Sequence, residues 1–541
     1  MKDIAHRSAQ YWLWPWLTIL TGLLLTLWLQ TYSQDGVFFS GDGGLKALLA
    51  QQLGMGTWQI GLDLPTPAPW ITDLWQQGLY PFTPPYVYEQ GTTHFITFPF
   101  TFPAVTAPFY ALLGHRGLYV VPLISLWLLW GRFYQIGLRL GLRPAVLAAG
   151  LGCVILASPL SLYGAMYWEH TLAVALAFWG LTAVVFPPAT GRAGRPLGGV
   201  LMGLAVWFRP EFLCLVAGVT LLLGLGWLGL GWLQLGVRQS LRLLAAMLLT
   251  VLVFFGLNFY IYGHPLGIHA IQIVEGSSPL QQLTQAGASY RQLLTSLFRY
   301  FPIALFAIAF TLTASLNSRL KLSPTMRWLL LLSLLFALSV PLIVPPGAGG
   351  KQWGPRFYLI LVPLLSLVVA QQLEQVWDSL RGLWRGGAIA LLALLFAFGL
   401  QLNTVQGAFS RYEDPQTGSI SLPHSYAPIA PAISTLRAQP LPWVAMSHQF
   451  VAQQLWAGVP EKTFFRAESL AQVKQLAQAL AVQNESAFLY VCYPHRDCPI
   501  PETVPAALSL EAAGKPAQLV FQPMGNAGKY PLYTVRLVTR P

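Results

Sequence analysis

A small set of charged side chains sits at the edges of long apolar runs, where a charge beside hydrocarbon is costly to keep. Asp42 lies in Phe-Ser-Gly-Asp-Gly-Gly-Leu-Lys, the stretch from Phe39 to Lys46, directly after an apolar segment. Glu169 and His170 fall in Tyr-Trp-Glu-His-Thr, Arg209 and Glu211 in Phe-Arg-Pro-Glu, and Lys351 and Arg356 in Gly-Lys-Gln-Trp-Gly-Pro-Arg-Phe. His264 and His269 open a further polar stretch. A carboxylate within hydrogen-bond reach of a hydroxyl can take its proton, a contribution of roughly 10² to 10⁴ in rate, and Asp42 is the candidate. An arginine fork matches phosphate oxygens and stays charged, so Arg209 and Arg356, with Lys351, are candidates to receive charge developing on a phosphate, and His170, Glu211 and Lys46 complete the candidate substrate-binding set. Glu169 could orient a reacting hydroxyl, or share a Mg2+ or Mn2+ with Asp42 and His170.

Each residue also has a plainer reading. Gly41, Gly43 and Gly44 leave the backbone free to bring Asp42 close to a ligand, yet Gly-Asp-Gly is also ordinary turn chemistry. Glu169 could form a structural pair with Arg209, and His170 could cap the span that follows it. Lys46 and Glu211 could be ordinary interface residues.

The elements that must position these groups are membrane spans. Of 541 residues, 55% are hydrophobic and only 9% charged, with a mean hydropathy of +0.54. Soluble domains carry about 25% charged residues, so the fold class expected is an α-helical polytopic membrane protein. The net charge of +12 is scattered among short loops and forms no basic domain, which argues against a nucleic-acid partner. The first apolar run, Tyr11 to Leu29, lacks a small-residue cleavage pattern and reads as a retained span. The Pro- and aromatic-rich segment 31–117 reads as an outer loop, with Phe98 to Leu113 as an interfacial helix. Further spans follow at Leu118 to Leu138, Ala145 to Leu162, Thr171 to Phe186, Leu197 to Trp207, Phe212 to Leu230 and Leu243 to Tyr262. Phe301 to Leu316, Trp328 to Val344, Phe357 to Leu373 and Ala388 to Leu402 complete the set. With the interfacial helix left uncounted, every inner loop carries arginine or lysine, which gives about eleven spans with the amino terminus in the cytoplasm. Lys46, Arg209, Lys351 and Arg356 then lie outside, where orientation does not explain them. The polar stretch Gly263 to Ser296 has the length of a lid.

Beyond Asn403 polar residues rise, so the chain divides into a membrane domain, 1–403, and an outer domain, 404–541. In the latter, Trp443 to Met446, Phe488 to Cys492, Gln518 to Phe521 and Tyr530 to Leu537 read as strands. Leu470, Val473, Leu476, Ala477 and Leu480 recur at helical spacing after a cap at Ser469. This predicts a small α/β domain. Cys492 and Cys498 are either a disulfide or two free thiols, and Cys153 and Cys214 sit in apolar spans as packing. Asn484-Glu485-Ser486 matches a glycosylation sequon. No P-loop, no dinucleotide fingerprint and no zinc-type Cys/His spacing is present, which leaves nucleotide-driven chemistry without footing.

Ser-Gly-Asp-Gly-Gly-Leu-Lys after the first span, Tyr-Trp-Glu-His-Thr-Leu-Ala before a later one, the Phe-Arg-Pro-Glu hairpin and Gly-Pro-Arg-Phe-Tyr together resemble the GT-C superfamily. These are integral membrane glycosyltransferases such as the protein O-mannosyltransferases and the aminoarabinose transferase of lipid A, and the resemblance covers Tyr11 to Leu402. It implies a polyprenyl-phosphate sugar donor used from the outer leaflet, inversion at the anomeric carbon, and Asp42 as base or metal ligand. It also implies residence in the bacterial plasma membrane with a periplasmic carboxy-terminal domain. The acceptor, whether lipid, glycan or protein, is left open. Two departures stand out: Gly43 follows the acid where the family often has a second acid, and Thr97-Phe98-Pro99 lacks the lysine that some members use to hold the lipid phosphate. Phosphate contact would then fall to Arg356, Lys351 or Arg209. Two readings from other classes remain, a flippase for a lipid-linked saccharide and a non-catalytic scaffold. A flippase should show internal symmetry, and none is visible.

Overall fold

The computed structural model describes residues 13–66, 68–187, 194–228, 235–268, 279–316, 322–344, 351–500, 507–512 and 515–539. The chain separates into two compact units, one made of Met1–Tyr32 and Tyr119–His424, the other of Ser33–Leu118 and Ser425–Pro541.

The first unit is helical. A bilayer core about 30 Å thick needs a helix of roughly 20 apolar residues. Among the described residues, six helical runs meet that requirement: Leu13–Tyr32, Thr101–Arg139, Pro210–Trp227, Val237–Tyr262, Pro324–Leu342 and Gly382–Phe409. Two more candidates are broken: Pro144–Ile155 bends by 55° into Pro159–Ala165, and Thr284–Tyr300 bends by 96° into Ile303–Ala314. The helix Val237–Tyr262 illustrates the solvent. It buries Leu243, Met247, Val251, Phe254, Asn258 and Tyr262, one stripe at three- and four-residue spacing, while Leu249, Leu252 and Phe259 on the other side are more than 60% exposed. That outer face suits lipid, where apolar exposure carries no penalty. Helix–helix packing relies on small residues: a Cβ on Gly180 of His170–Val185 would stand 2.6 Å from the Gly198 carbonyl of Gly194–Phe208.

Two expectations for this unit change. The polar stretch read as a lid contains the helix Pro279–Tyr300, because its apolar residues recur at helical spacing among the polar ones. Its part from His269 to 278 lies outside the described residues. The boundary placed at Asn403 falls inside the helical run Gly382–Phe409, which keeps Asn403 buried.

The second unit is an α/β sandwich around a sheet of order β4-β3-β5-β8-β7-β6. Its strands are β3 (Trp443–Met446), β4 (Thr463–Arg466), β5 (Ala487–Val491), β6 (Ala507–Ala512), β7 (Lys515–Ala527) and β8 (Tyr530–Thr539); β1 (Val87–Gln90) and β2 (Thr93–Ile96) form a separate hairpin. β3 runs parallel to β4 and β5, and the remaining pairs are antiparallel. The helix Leu470–Val482 starts as the sequence predicts, the Ser469 hydroxyl accepting from the Gln472 N–H. Cys492 and Cys498 form a disulfide, and Cys153 and Cys214 are buried free thiols.

The segment 33–118, grouped from sequence with the membrane domain, packs in this unit. The Trp75 indole donates to the Phe464 carbonyl at 3.2 Å, the Thr83 N–H to the Gln449 side chain at 3.0 Å, and Trp70 meets Trp443 edge-on at 5.1 Å. These contacts join residues hundreds of positions apart, so composition along the chain does not reveal them.

Candidate active site

The Asp42 stretch is the start of a helix, Gly41–Gly54, preceded by Ser40 in extended conformation, and not a turn. Its glycines make close packing possible. A Cβ on Gly44 would stand 1.7 Å from the Gln453 carbonyl oxygen, and one on Gly41 would stand 2.5 Å from the Gln453 side-chain oxygen. Both glycines therefore serve the contact with the helix Phe450–Leu455. Gly44→Ala is expected to cost about 1–3 kcal/mol through overpacking, read as a lower unfolding temperature of the detergent-solubilised chain. A wild-type melting profile would remove this account of the glycines.

Asp42, half-buried, occupies the first turn of this helix, where the N-terminal dipole favours a negative charge. Lys46 follows one turn later on the same face. Its side chain is buried and places the ammonium 4.4 Å from the centre of the Phe98 ring. The stretch Thr97-Phe98-Pro99, which has no lysine of its own, thus has one delivered from a neighbouring helix.

In the first unit the structure gathers Glu169, His170, Arg209, Glu211 and Arg356. Pro210 disfavours helical conformation in the residue before it, so the helix Gly194–Phe208 stops and Arg209 turns extended, with φ −140° and ψ 103°. The guanidinium then bridges two buried carboxylates. Nη1 contacts Glu169 Oε1 at 3.0 Å and Nε contacts Glu211 Oε1 at 2.7 Å, with only 12%, 1% and 6% of the three side chains exposed. The plain reading of Glu169 as the partner of Arg209 is therefore realised, and Glu211 is no ordinary interface residue.

Arg356 completes the group through aromatic rings. Its guanidinium lies 5.6 Å from Trp168 and 4.9 Å from Phe357, and Phe357 also faces Arg209 at 5.2 Å. His170 is the first residue of the helix His170–Val185, and its ring lies 5.2 Å from both Tyr163 and Trp168. Cations against ring faces in a desolvated setting are held firmly and keep their charge. Lys351 opens the segment that carries Arg356. His264 is exposed and accepts from the Leu266 N–H at 3.2 Å, a local turn contact.

Residues the sequence did not single out hold the Arg356 segment. Gly354 adopts φ +68°, a conformation that favours glycine, and the chain on either side is pinned. The Tyr163 hydroxyl donates to the Trp353 carbonyl at 2.9 Å, and the Trp353 indole donates to Asn403 at 3.1 Å. The Gly354 N–H reaches Ser419 at 3.2 Å, and the Ile420 N–H reaches the Gln352 carbonyl at 2.9 Å. The 410–421 loop that supplies these contacts is anchored by Asp414, fully buried, which meets Arg299 Nε at 2.7 Å and accepts from the Tyr300 hydroxyl at 2.9 Å. Asp414→Asn is expected to cost about 1–3 kcal/mol, measurable by thermal unfolding. An unchanged unfolding temperature would show that this anchor carries no weight.

Among the described residues no group of three or more His, Cys, Asp or Glu side chains is placed to hold a metal ion. Glu169, the central member of the set expected from sequence, already has one oxygen on Arg209.

No family model and no curated protein matches the chain. Solved structures do. ArnT from Cupriavidus metallidurans bound to undecaprenyl phosphate matches with a TM-score of 0.54 at 12% identity, over 95% of this chain and 97% of that one. Archaeal oligosaccharyltransferase AglB from Archaeoglobus fulgidus, in complex with an inhibitory peptide and a dolichol-phosphate, matches with a TM-score of 0.50 at 12% identity, over 89% of this chain and 69% of that one. At such identities the likeness is one of fold: this multi-pass membrane protein shares its overall fold with both of those solved structures.

Proposed function

We propose that the chain is an inverting membrane glycosyltransferase that moves a sugar from a polyprenyl-phosphate donor to an acceptor hydroxyl on the outer face of the membrane. The observation that carries this reading is the end-to-end fold likeness to ArnT, whose structure holds undecaprenyl phosphate. The topology that goes with it is about eleven spans, amino terminus inside, with the helix Thr101–Leu113 interfacial and the carboxy-terminal unit outside. A disulfide between Cys492 and Cys498 suits such an oxidising side.

In this reaction Asp42 takes the acceptor hydroxyl proton as the oxygen bonds to the anomeric carbon. The bond from that carbon to the phosphate oxygen breaks, and the polyprenyl phosphate leaves with one more negative charge. Phosphate is a good leaving group, so it needs cations and no strong general acid. Arg356, Lys351 and Lys46 are assigned that task. Arg209 is already engaged by two carboxylates, so its part is to hold Glu169 and Glu211 in place, with Glu169 orienting the acceptor. Direct base action needs no metal. A Mg2+ or Mn2+ shared by Asp42, Glu169 and His170 is the competing arrangement, and it predicts that EDTA stops turnover.

The test is turnover of labelled polyprenyl-phosphate sugars by purified protein in detergent, with polyprenyl phosphate as the product followed. Release of polyprenyl phosphate that depends on an added acceptor supports transfer. Movement of intact donor between the leaflets of vesicles carrying the reconstituted protein, without cleavage, would point to a flippase and end the proposal.

A further inference from the structure

In open sheets with parallel strands, ligands bind at the carboxyl ends of those strands, where the connecting loops diverge. In the second unit that edge is formed by β3 and its parallel neighbours β4 and β5. Several segments bring chemistry to it. The loop after β3 places His448 and Phe450, whose rings lie 4.5 Å apart. The loop after β5 places Tyr493, 5.5 Å from His448 in a stacked arrangement and 5.4 Å from Phe450 edge-on. The turn before β1 adds Tyr86, 5.3 Å from Phe450, held there by the two contacts of Gln449 with Thr83. The turn between β7 and β8 adds Lys529, its ammonium 5.8 Å from the Tyr493 ring centre.

This is not a closed core. Tyr86, His448 and Phe450 are half-buried, and Pro494–Asp497, in the loop tied by the Cys492–Cys498 disulfide, are exposed. The backbone N–H of Arg496 in that loop donates to the Tyr493 carbonyl at 3.2 Å. Desolvation holds the His448 imidazole below its ordinary value, so near neutral pH it offers an uncharged ring beside Arg496, Arg466 and Glu468. Flat rings with a polar rim suit the apolar faces of a sugar, and cations beside them suit an anionic substituent.

We infer that this edge of the second unit binds an anionic saccharide, its ring against the half-buried Phe450, which the buried Tyr493 backs, and its phosphate or carboxylate on Arg496 and Lys529. The inference stands apart from the transfer reaction, since it invokes neither Asp42 nor Arg356.

Calorimetric titration of the full chain in detergent with glucose 1-phosphate, glucose and inorganic phosphate tests it. Glucose 1-phosphate is expected to bind more tightly than either of the other two. Arg496→Ala, in an exposed loop whose loss leaves the sheet intact, is expected to weaken that binding by roughly tenfold or more. Phe450→Ala should weaken glucose 1-phosphate and leave phosphate unchanged, and Asp42→Asn should change nothing. Inorganic phosphate binding as tightly as glucose 1-phosphate would reduce the site to a bare anion site and overturn the assignment. So would binding that survives Arg496→Ala but is lost in Arg356→Ala, which would place the ligand elsewhere.

Discussion

Asp42→Asn is expected to lower the rate of donor consumption by roughly 10² to 10⁴ while binding of the donor stays within a fewfold of wild type. The asparagine keeps the shape of the side chain and loses its negative charge and, with it, its capacity to take a proton. The charge removed sits in the first turn of the helix Gly41–Gly54, where it contributes about 0.3–1 kcal/mol through the helix dipole. A small loss of stability is therefore expected alongside the large loss of turnover, and the two separate cleanly. Asp42→Glu sharpens the test: it restores the proton acceptor one methylene further out, so partial recovery is expected. Single-turnover release of polyprenyl phosphate measures the chemical step without product dissociation. Turnover by Asp42→Asn equal to wild type would leave the acid without a catalytic role.

How much of this was legible in the sequence depends on the range of the contacts involved. The helix after Ser469 and the four strands named from the sequence are visible because their signals are local: a cap, a helical period, a run of β-branched and aromatic residues. β4, Thr463–Arg466, offers only the pair Phe464 and Phe465 between polar residues, and β6, Ala507–Ala512, interrupts its apolar positions with Ser509 and Glu511, so neither carries the unbroken apolar run that marks β3. The glycines around Asp42 were visible, but their purpose was not. Turn chemistry and close helix packing use the same residue, and the partner that decides between them is Gln453. Asp414 gave no signal at all. Glu-Asp-Pro reads as an ordinary turn, and its burial is set by Arg299 and Tyr300, more than a hundred residues earlier. The Glu169–Arg209–Glu211 cluster was legible as types and places, since charges beside apolar spans are conspicuous. That one arginine would serve both carboxylates required the Pro210 turn.

That shared arginine supports the largest stability effect. Replacing Arg209 with methionine keeps most of its volume and leaves Glu169 and Glu211 buried, at 1% and 6% exposure, with no counter-charge from this residue. Removing one partner of a buried ion pair typically costs about 3–5 kcal/mol, because the remaining charge keeps its desolvation penalty and loses its compensation. Arg209→Met is expected to fall in that range, measured by thermal or denaturant unfolding followed through tryptophan fluorescence. Arg209→Lys retains the charge without the fork that reaches both carboxylates, so an intermediate loss is expected. The triple variant Arg209→Met, Glu169→Gln, Glu211→Gln removes all three charges at once and is expected to recover most of the lost stability, since neutral, volume-matched replacements of buried ion networks are often nearly neutral. If the cluster serves only the fold, the triple variant turns over donor as wild type does. If Glu169 orients the acceptor, it is stable and slow, and that combination is the expected result. An Arg209→Met variant as stable as wild type would mean that the two carboxylates are compensated from elsewhere, and the triad would lose its place in the site.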